Sequence, residues 1–125
     1  MKILVVDDEK DVVTLFQQHF RREIRAGVFD FSFSHSGEAA LAFLKDYEQK
    51  AVLILSDINM PGMSGLELLR HIRLNSPLPP PIIMMITAYG DKENYEQAMA
   101  LGANDFLNKP IDFNALKEKL TALSN

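Results

Sequence analysis

The 125-residue sequence has no cysteine, so it carries no disulfide framework and no sulfur ligand of that kind for a metal. It has no apolar run near the ~18 to 20 residues needed to cross a membrane. Its first residues, MKILVVDD, turn acidic too soon for a signal-peptide core, so nothing in them points to export. These absences leave the cytoplasm as the expected compartment, with no membrane partner. Basic charge is also in deficit. Thirteen Lys and Arg against 17 Asp and Glu give a formal net charge of -4, which argues against direct nucleic-acid binding, because that binding draws on basic surface. Any DNA-binding partner domain is expected to lie outside these residues.

What remains fits one globular domain spanning residues 1–125. A chain of this size can bury roughly two thirds of its unfolded surface, and 47% hydrophobic residues are enough to build a core.

The stretch Val52 to Gly65, VLILSDINMPGMSG, organises the rest. Val52 to Leu55 is apolar without alternation, as in a strand covered on both faces, and Asp57 follows at its end. Met60-Pro61-Gly62 forces a turn, and Ser64-Gly65-Leu66-Glu67 reads as a capping box opening a helix through Leu74 with Leu68, Leu69 and Ile72 inward. Asp57 is thus placed on a loop braced at both ends.

The same pattern recurs along the chain. Ile3 to Val6 predicts a first strand ending at Asp7, Asp8 and Glu9. The apolar spacing of Val12, Val13, Phe16, Phe20 and Ile24 predicts one helix over 10–25, closed by Gly27. Phe29, Phe31 and Phe33 alternate with Asp30, Ser32 and Ser34, as in a half-exposed edge strand. Ser36 is expected to cap a helix through about Tyr47, with Ala40, Phe43, Leu44 and Tyr47 as its stripe. Ile82 to Ile86 reads as the fourth strand, closed by Thr87. Asp91 is expected to cap a helix to Leu101 that carries Tyr95, Ala98 and Met99 on one face and stops at Gly102. A short fifth strand over 104–108 ends at Lys109-Pro110. Asp112 is expected to cap the last helix, with Phe113, Leu116, Leu120 and Leu123 inward. The proline-rich segment Ser76 to Pro81 reads as a stiff surface connection, with a PxxP docking ligand as the alternative.

Five strands alternating with five helices predict an α/β fold, a doubly wound parallel sheet, and the known five-stranded order of that kind, 2-1-3-4-5, is the one expected. Ligands in such sheets bind outside the C-terminal strand ends where the strand order reverses, here between strands 1 and 3. Those strands end in Asp7, Asp8 and Asp57, and Thr87 and Lys109 end strands 4 and 5 on the same edge. Three neighbouring carboxylates repel unless a cation shares the site, and an all-oxygen donor set favours magnesium over zinc, with manganese tolerated. A lysine and a hydroxyl facing that position suit a phosphoryl group, whose oxygens carry the charge in transfer. Asp57 is then the nucleophile.

VVDDE at 5–9, SDINMPGMSG at 56–65, TA at 87–88 and KP at 109–110, in this order and spacing, resemble the receiver domain of two-component response regulators along essentially the whole chain. The resemblance implies a flavodoxin-like receiver fold and a phosphorelay role. Asp57 would be the phospho-acceptor, charged by a histidine kinase or phosphotransfer protein, in a signalling domain that catalyses only its own phosphorylation and dephosphorylation. It further implies Mg2+ held by Asp8, Asp57 and the Asn59 backbone carbonyl, with Asp7 acting through water. Lys109 would hold the phosphoryl group, and Thr87 and Phe106 would act as switch residues. The partner reached through the last helices would be an output domain or a downstream protein, in the same longer chain or separate, and a phosphorylation-dependent dimer is compatible with this. A cis Lys109-Pro110 peptide is implied as well.

Two other functions compete. A magnesium-dependent phosphohydrolase with an aspartyl-phosphate intermediate, resembling haloacid dehalogenases, would carry DxD after its first strand, whereas Asp57-Ile58-Asn59 follows the third and lacks the second acid. A phosphorylation-independent interaction module would not need the intact acid pocket. His19, His35 and His71 are expected to be surface or helix-face histidines, and Met60 and Met63 either face a partner or simply pack.

Overall fold

Short apolar runs in β1, β3 and β4, an alternating Phe/Ser run in β2 and a four-residue segment in β5, each too short for a stable helix, form five parallel strands. The structure is a computed structural model that describes residues 1–46, 51–75, 80–88 and 92–124. The strands are β1 (Lys2–Val6), β2 (Asp30–Ser34), β3 (Leu53–Asp57), β4 (Ile82–Thr87) and β5 (Asp105–Asn108). They lie in the order β2-β1-β3-β4-β5, as the sequence predicts, with β2 at an edge. Lys109-Pro110 is cis.

Among the described residues there are six helices: α1 (Asp11–His19), α2 (Arg21–Arg25), α3 (Gly37–Leu44), α4 (Gly65–Leu74), α5 (Lys92–Ala100) and α6 (Phe113–Ser124). The count departs from the expected five because the helix expected over 10–25 is two. Phe20 leaves helical geometry at φ -111 and ψ 21, although its N–H still reaches the Phe16 carbonyl. Phe20 is wholly buried, so the apolar spacing that suggested a single helix is real and only the backbone path breaks.

Alternate residues of each strand face opposite layers, the period-2 consequence of the pleat. Ile3, Val5, Leu53, Leu55, Met84 and Ile86 meet Phe16, Phe20, Leu116 and Leu120 on the α1 and α6 side. Leu4, Val6, Ile54, Ile83 and Met85 meet Ala40, Leu68, Leu69, Ile72 and Ala98 on the α3, α4 and α5 side. Every residue of β3 is buried, which accounts for its lack of alternation.

The expected caps hold where they are described. Ser36 Oγ accepts the Ala39 N–H at 3.0 Å, Ser64 Oγ that of Glu67 at 3.2 Å, and Asp112 Oδ1 those of Asn114 and Ala115 at 3.1 Å. Several details differ. Val52 lies outside β3 and is 52% exposed. Ile24, Tyr95, Met99 and Leu123, expected to face inward, are exposed. Helix α3 ends at Leu44; Tyr47, the connection from Ser76 to Pro79 and the Asp91 cap lie outside the described residues. No described helix is long and apolar enough to cross a membrane.

Candidate functional site

The ladder registers bring the polar strand ends level. Val6 is opposite both Ser34 and Ser56, Asp57 is opposite Ile86, and Thr87 is opposite Asn108. Each candidate residue stands at the last rung or one step beyond it. The Asp7 N–H still reaches the Ser34 carbonyl at 3.0 Å, that of Ile58 reaches Ile86 at 3.0 Å and that of Lys109 reaches Thr87 at 2.8 Å. The strand order reverses between β1 and β3, the point at which sheets of this kind form their ligand crevice.

Within it Asp7, Asp8 and Asp57 each offer a carboxylate oxygen, all within 4.8 Å of one another. Asp7 and Asp57 are buried. Lys109 Nζ stands 3.0 Å from Asp7 Oδ2 and 3.4 Å from Asp57 Oδ2, bridging the two buried acids from β5. Asp7 Oδ1 accepts the Glu9 N–H at 2.9 Å, so the first acid is held from both sides. Thr87 is fully buried, and the Asn59 side-chain amide reaches its hydroxyl at 3.4 Å.

The electrostatics follow from the crowding. Burial raises the Asp57 carboxyl above its ordinary value of 3.8; the Lys109 charge pulls it back, and the Asp7 and Asp8 charges add to the rise. Burial alone would lower Lys109, but its hydrogen bond to Asp7 and the charges of Asp57 and Asp7 outweigh that and leave it raised. One cation facing three acids leaves a surplus of negative charge. That surplus and the all-oxygen donor set fit a hard divalent ion.

The loop after Asp57 is held by close packing. A Cβ on Gly65 would lie 2.0 Å from the Asp57 carbonyl oxygen and 2.7 Å from the Ile58 Cα, so only glycine allows α4 to start so near the acid. Met60 is buried in the core. Met63 lies against Gly37, where a Cβ would meet its Sδ at 2.9 Å. Packing accounts for both methionines. Phe106 is partly buried against the α3, α4 and α5 side, with its ring edge-on to Tyr95 at 5.6 Å. The sequence-predicted residues Asp7, Asp8, Asp57, Asn59, Thr87 and Lys109 therefore come together, and Phe106 sits on the adjoining strand.

His35 is the residue that sequence reasoning missed. Its Nδ1 lies 3.0 Å from the Asp7 carbonyl oxygen. Its place one residue beyond β2, level with the acids, was the available signal. His19 instead lies flat on Phe113 at 3.9 Å, and His71 is exposed.

Beside the acids a cleft of about 760 Å³ runs between α1 and the segment after Lys109, with Val12, Leu15, Ile111 and Phe113 as its apolar wall. Over residues 3–121 the sequence matches the family model of the response regulator receiver domain. The chain belongs to that family. The receiver domain is 35% identical to chemotaxis protein CheY-3 of Vibrio cholerae, covering 96% of this chain and 88% of that one. It is 32% identical to the transcriptional regulatory protein CpxR of Klebsiella pneumoniae, covering 98% of this chain but 48% of CpxR, about half its length. Among solved structures, a response regulator receiver protein from Pseudomonas putida superposes with a TM-score of 0.83 at 29% identity, over 98% of this chain and 95% of that one. The fold is therefore the CheY-like receiver fold.

Proposed function

We propose that residues 1–125 are one phospho-accepting receiver domain in which Asp57 takes a phosphoryl group from a histidine kinase or phosphotransfer protein. The observation that carries this is the pairing of Lys109 with both buried acids at the reversal of strand order, beside the open Asp8. An Asp57 carboxylate oxygen attacks phosphorus, the bond from phosphorus to the donor's imidazole nitrogen breaks, and its electron pair returns to that nitrogen. Asp8, Asp57 and the Asn59 backbone carbonyl would hold Mg2+, with Asp7 acting through water. When bound, magnesium neutralises charge on the acids and on the phosphoryl oxygens. Lys109 balances the remaining charge, and Thr87 donates its hydroxyl to the phosphoryl group.

The domain works in this reading as a signalling element rather than a turnover enzyme, catalysing only its own phosphorylation and dephosphorylation in the cytoplasm. Its signal leaves through β5 and the last helices to an output domain or a separate protein, or through a phosphorylation-dependent dimer. The apolar cleft beside α1 suits the helical surface of a phosphodonor.

Incubation with acetyl phosphate and magnesium, followed by intact mass, tests the reading. One retained phosphoryl group that maps to Asp57 is expected. Steady release of phosphate without retention would favour the phosphohydrolase, and no mass gain would leave only an interaction module.

A further inference from the structure

Asp7 and Asp57 have their carboxylates tied by Lys109, and Asp7 has a further bond from the Glu9 N–H. Among the described residues the Asp8 carboxylate accepts no such bond, so its position depends on the backbone that carries it. That backbone is held from β2. Ser34 accepts the Asp7 N–H at 3.0 Å, and the next residue, His35, places Nδ1 3.0 Å from the Asp7 carbonyl oxygen. Consecutive residues of one strand end thus grip both sides of Asp7.

We propose that His35 is a positioning residue of the acid pocket, donating Nδ1–H to the Asp7 carbonyl and thereby aiming the Asp8 carboxylate. A carbonyl oxygen has only lone pairs to offer, so Nδ1 must carry the proton and Nε2 is left as the acceptor of the neutral ring. The peptide group is planar, so a fixed Asp7 carbonyl also fixes the direction of the Asp8 nitrogen. Only rotation within Asp8 itself then remains between that anchor and its carboxylate. Partners hydrogen-bonded directly to a ligating group are worth about 10- to 100-fold in affinity, and a partner one peptide removed is expected at the lower end of that range. The inference rests on the proposed use of Asp8 as a magnesium ligand.

Two measurements on the intact chain test it. In wild-type protein at about pH 8, above the ordinary imidazole range, long-range proton–nitrogen spectra should show His35 as the Nδ1–H tautomer. The Nε2–H tautomer would overturn the proposal whatever the variants do. Magnesium affinity is then compared by calorimetry. His35→Phe keeps a planar ring but loses the donor and should bind about 10-fold more weakly. His35→Asn offers an amide N–H close to the position of Nδ1 and should recover affinity to within about threefold. Wild-type affinity in His35→Phe overturns the inference alone, and so does loss in both variants alike. Wild-type protein that binds no magnesium overturns the proposed function and this inference together.

Discussion

Asp57 is costly to charge in the folded protein. Its carboxyl is raised above 3.8 mainly by burial, so over the range between the two values the native state keeps a proton that the unfolded chain has lost. The contribution of this group to stability is therefore fully present below the unfolded value and is lost as pH rises through the folded one. Asp57→Asn, which keeps the shape without the charge, is expected to accept no phosphoryl group and to melt at a higher temperature than wild type in magnesium-free buffer near neutrality. The gap in melting temperature should narrow as pH falls through the raised value. A gap that is constant or reversed across a pH series of melts would refute the electrostatic account. For Asp8→Ala the expected outcome is a loss of magnesium affinity of about 10-fold or more, at least that of losing an outer partner. Titration calorimetry giving the wild-type value would remove Asp8 from the ligand set.

The helices meet the sheet through contacts that differ in purpose at the two ends of α4. At its start, the Gly65 N–H donates to the Ile58 carbonyl at 2.8 Å while its Cα lies against the Asp57 carbonyl. A methyl group here must push backbone rather than a flexible side chain. Gly65→Ala is expected to cost about 1–3 kcal/mol or more and to slow phosphorylation, because the backbone it displaces is the end of β3 at Asp57 and the start of the loop that carries Asn59. Denaturant unfolding and acetyl phosphate uptake would both have to be unchanged to contradict this. At the far end of α4, the Arg73 guanidinium donates to the Gly102 carbonyl at 2.9 Å, and to the Pro81 carbonyl and Asn104 Oδ1 at 2.8 Å. Asn104 Oδ1 also accepts the Ile83 N–H at 2.8 Å. This arginine pins α4 to the starts of β4 and β5, on the opposite edge of the sheet from the acids. Arg73→Met is expected to lower stability by about 1–3 kcal/mol while leaving the rate of phosphorylation near wild type. A large fall in that rate with unchanged stability would contradict the separation of the two ends.

At the scale of the whole molecule, β4 and β5 connect the acid pocket to the α5 surface. Thr87 ends β4, buried and contacted by the Asn59 amide, and Phe106 on β5 packs edge-on against the half-exposed Tyr95 of α5. A phosphoryl group on Asp57 that draws the Thr87 hydroxyl toward it would vacate space beside Phe106, turning a charge change into a change of surface. Phenylalanine carries no hydroxyl to desolvate, so its inward rotamer should be populated to some extent before phosphorylation. Side-chain relaxation dispersion at Phe106, with and without beryllofluoride as a phosphoryl mimic, is expected to show exchange in the free protein and one dominant rotamer in the complex. A single rotamer in both states, with α5 unmoved, would rule out this switch.

Strand order, the two-sided burial of β3, the capping serines and the gathering of Asp7, Asp8, Asp57, Thr87 and Lys109 were legible in the sequence. Burial and capping follow from local pattern, and the gathering follows because parallel strands deliver their C-terminal ends to one edge, whereas the order 2-1-3-4-5 came from the known doubly wound orders and the family resemblance, since right-handed crossovers alone allow several. The break at Phe20 was not legible, because the apolar spacing continues through it and Phe20 stays buried beside Phe16 while its backbone leaves helical geometry. The exposure of Tyr95 and Met99 escaped for a related reason: helical spacing shows which residues share a face, and only the docked helix shows how far that face reaches into the core. His35 and Arg73 were out of reach for a different one. Each acts on backbone carbonyls brought near from 28 and 29 residues away, and such partners carry no side-chain signature to read. Tertiary structure alone decided them, because carbonyl groups are present at every residue and only the fold selects which ones meet a donor.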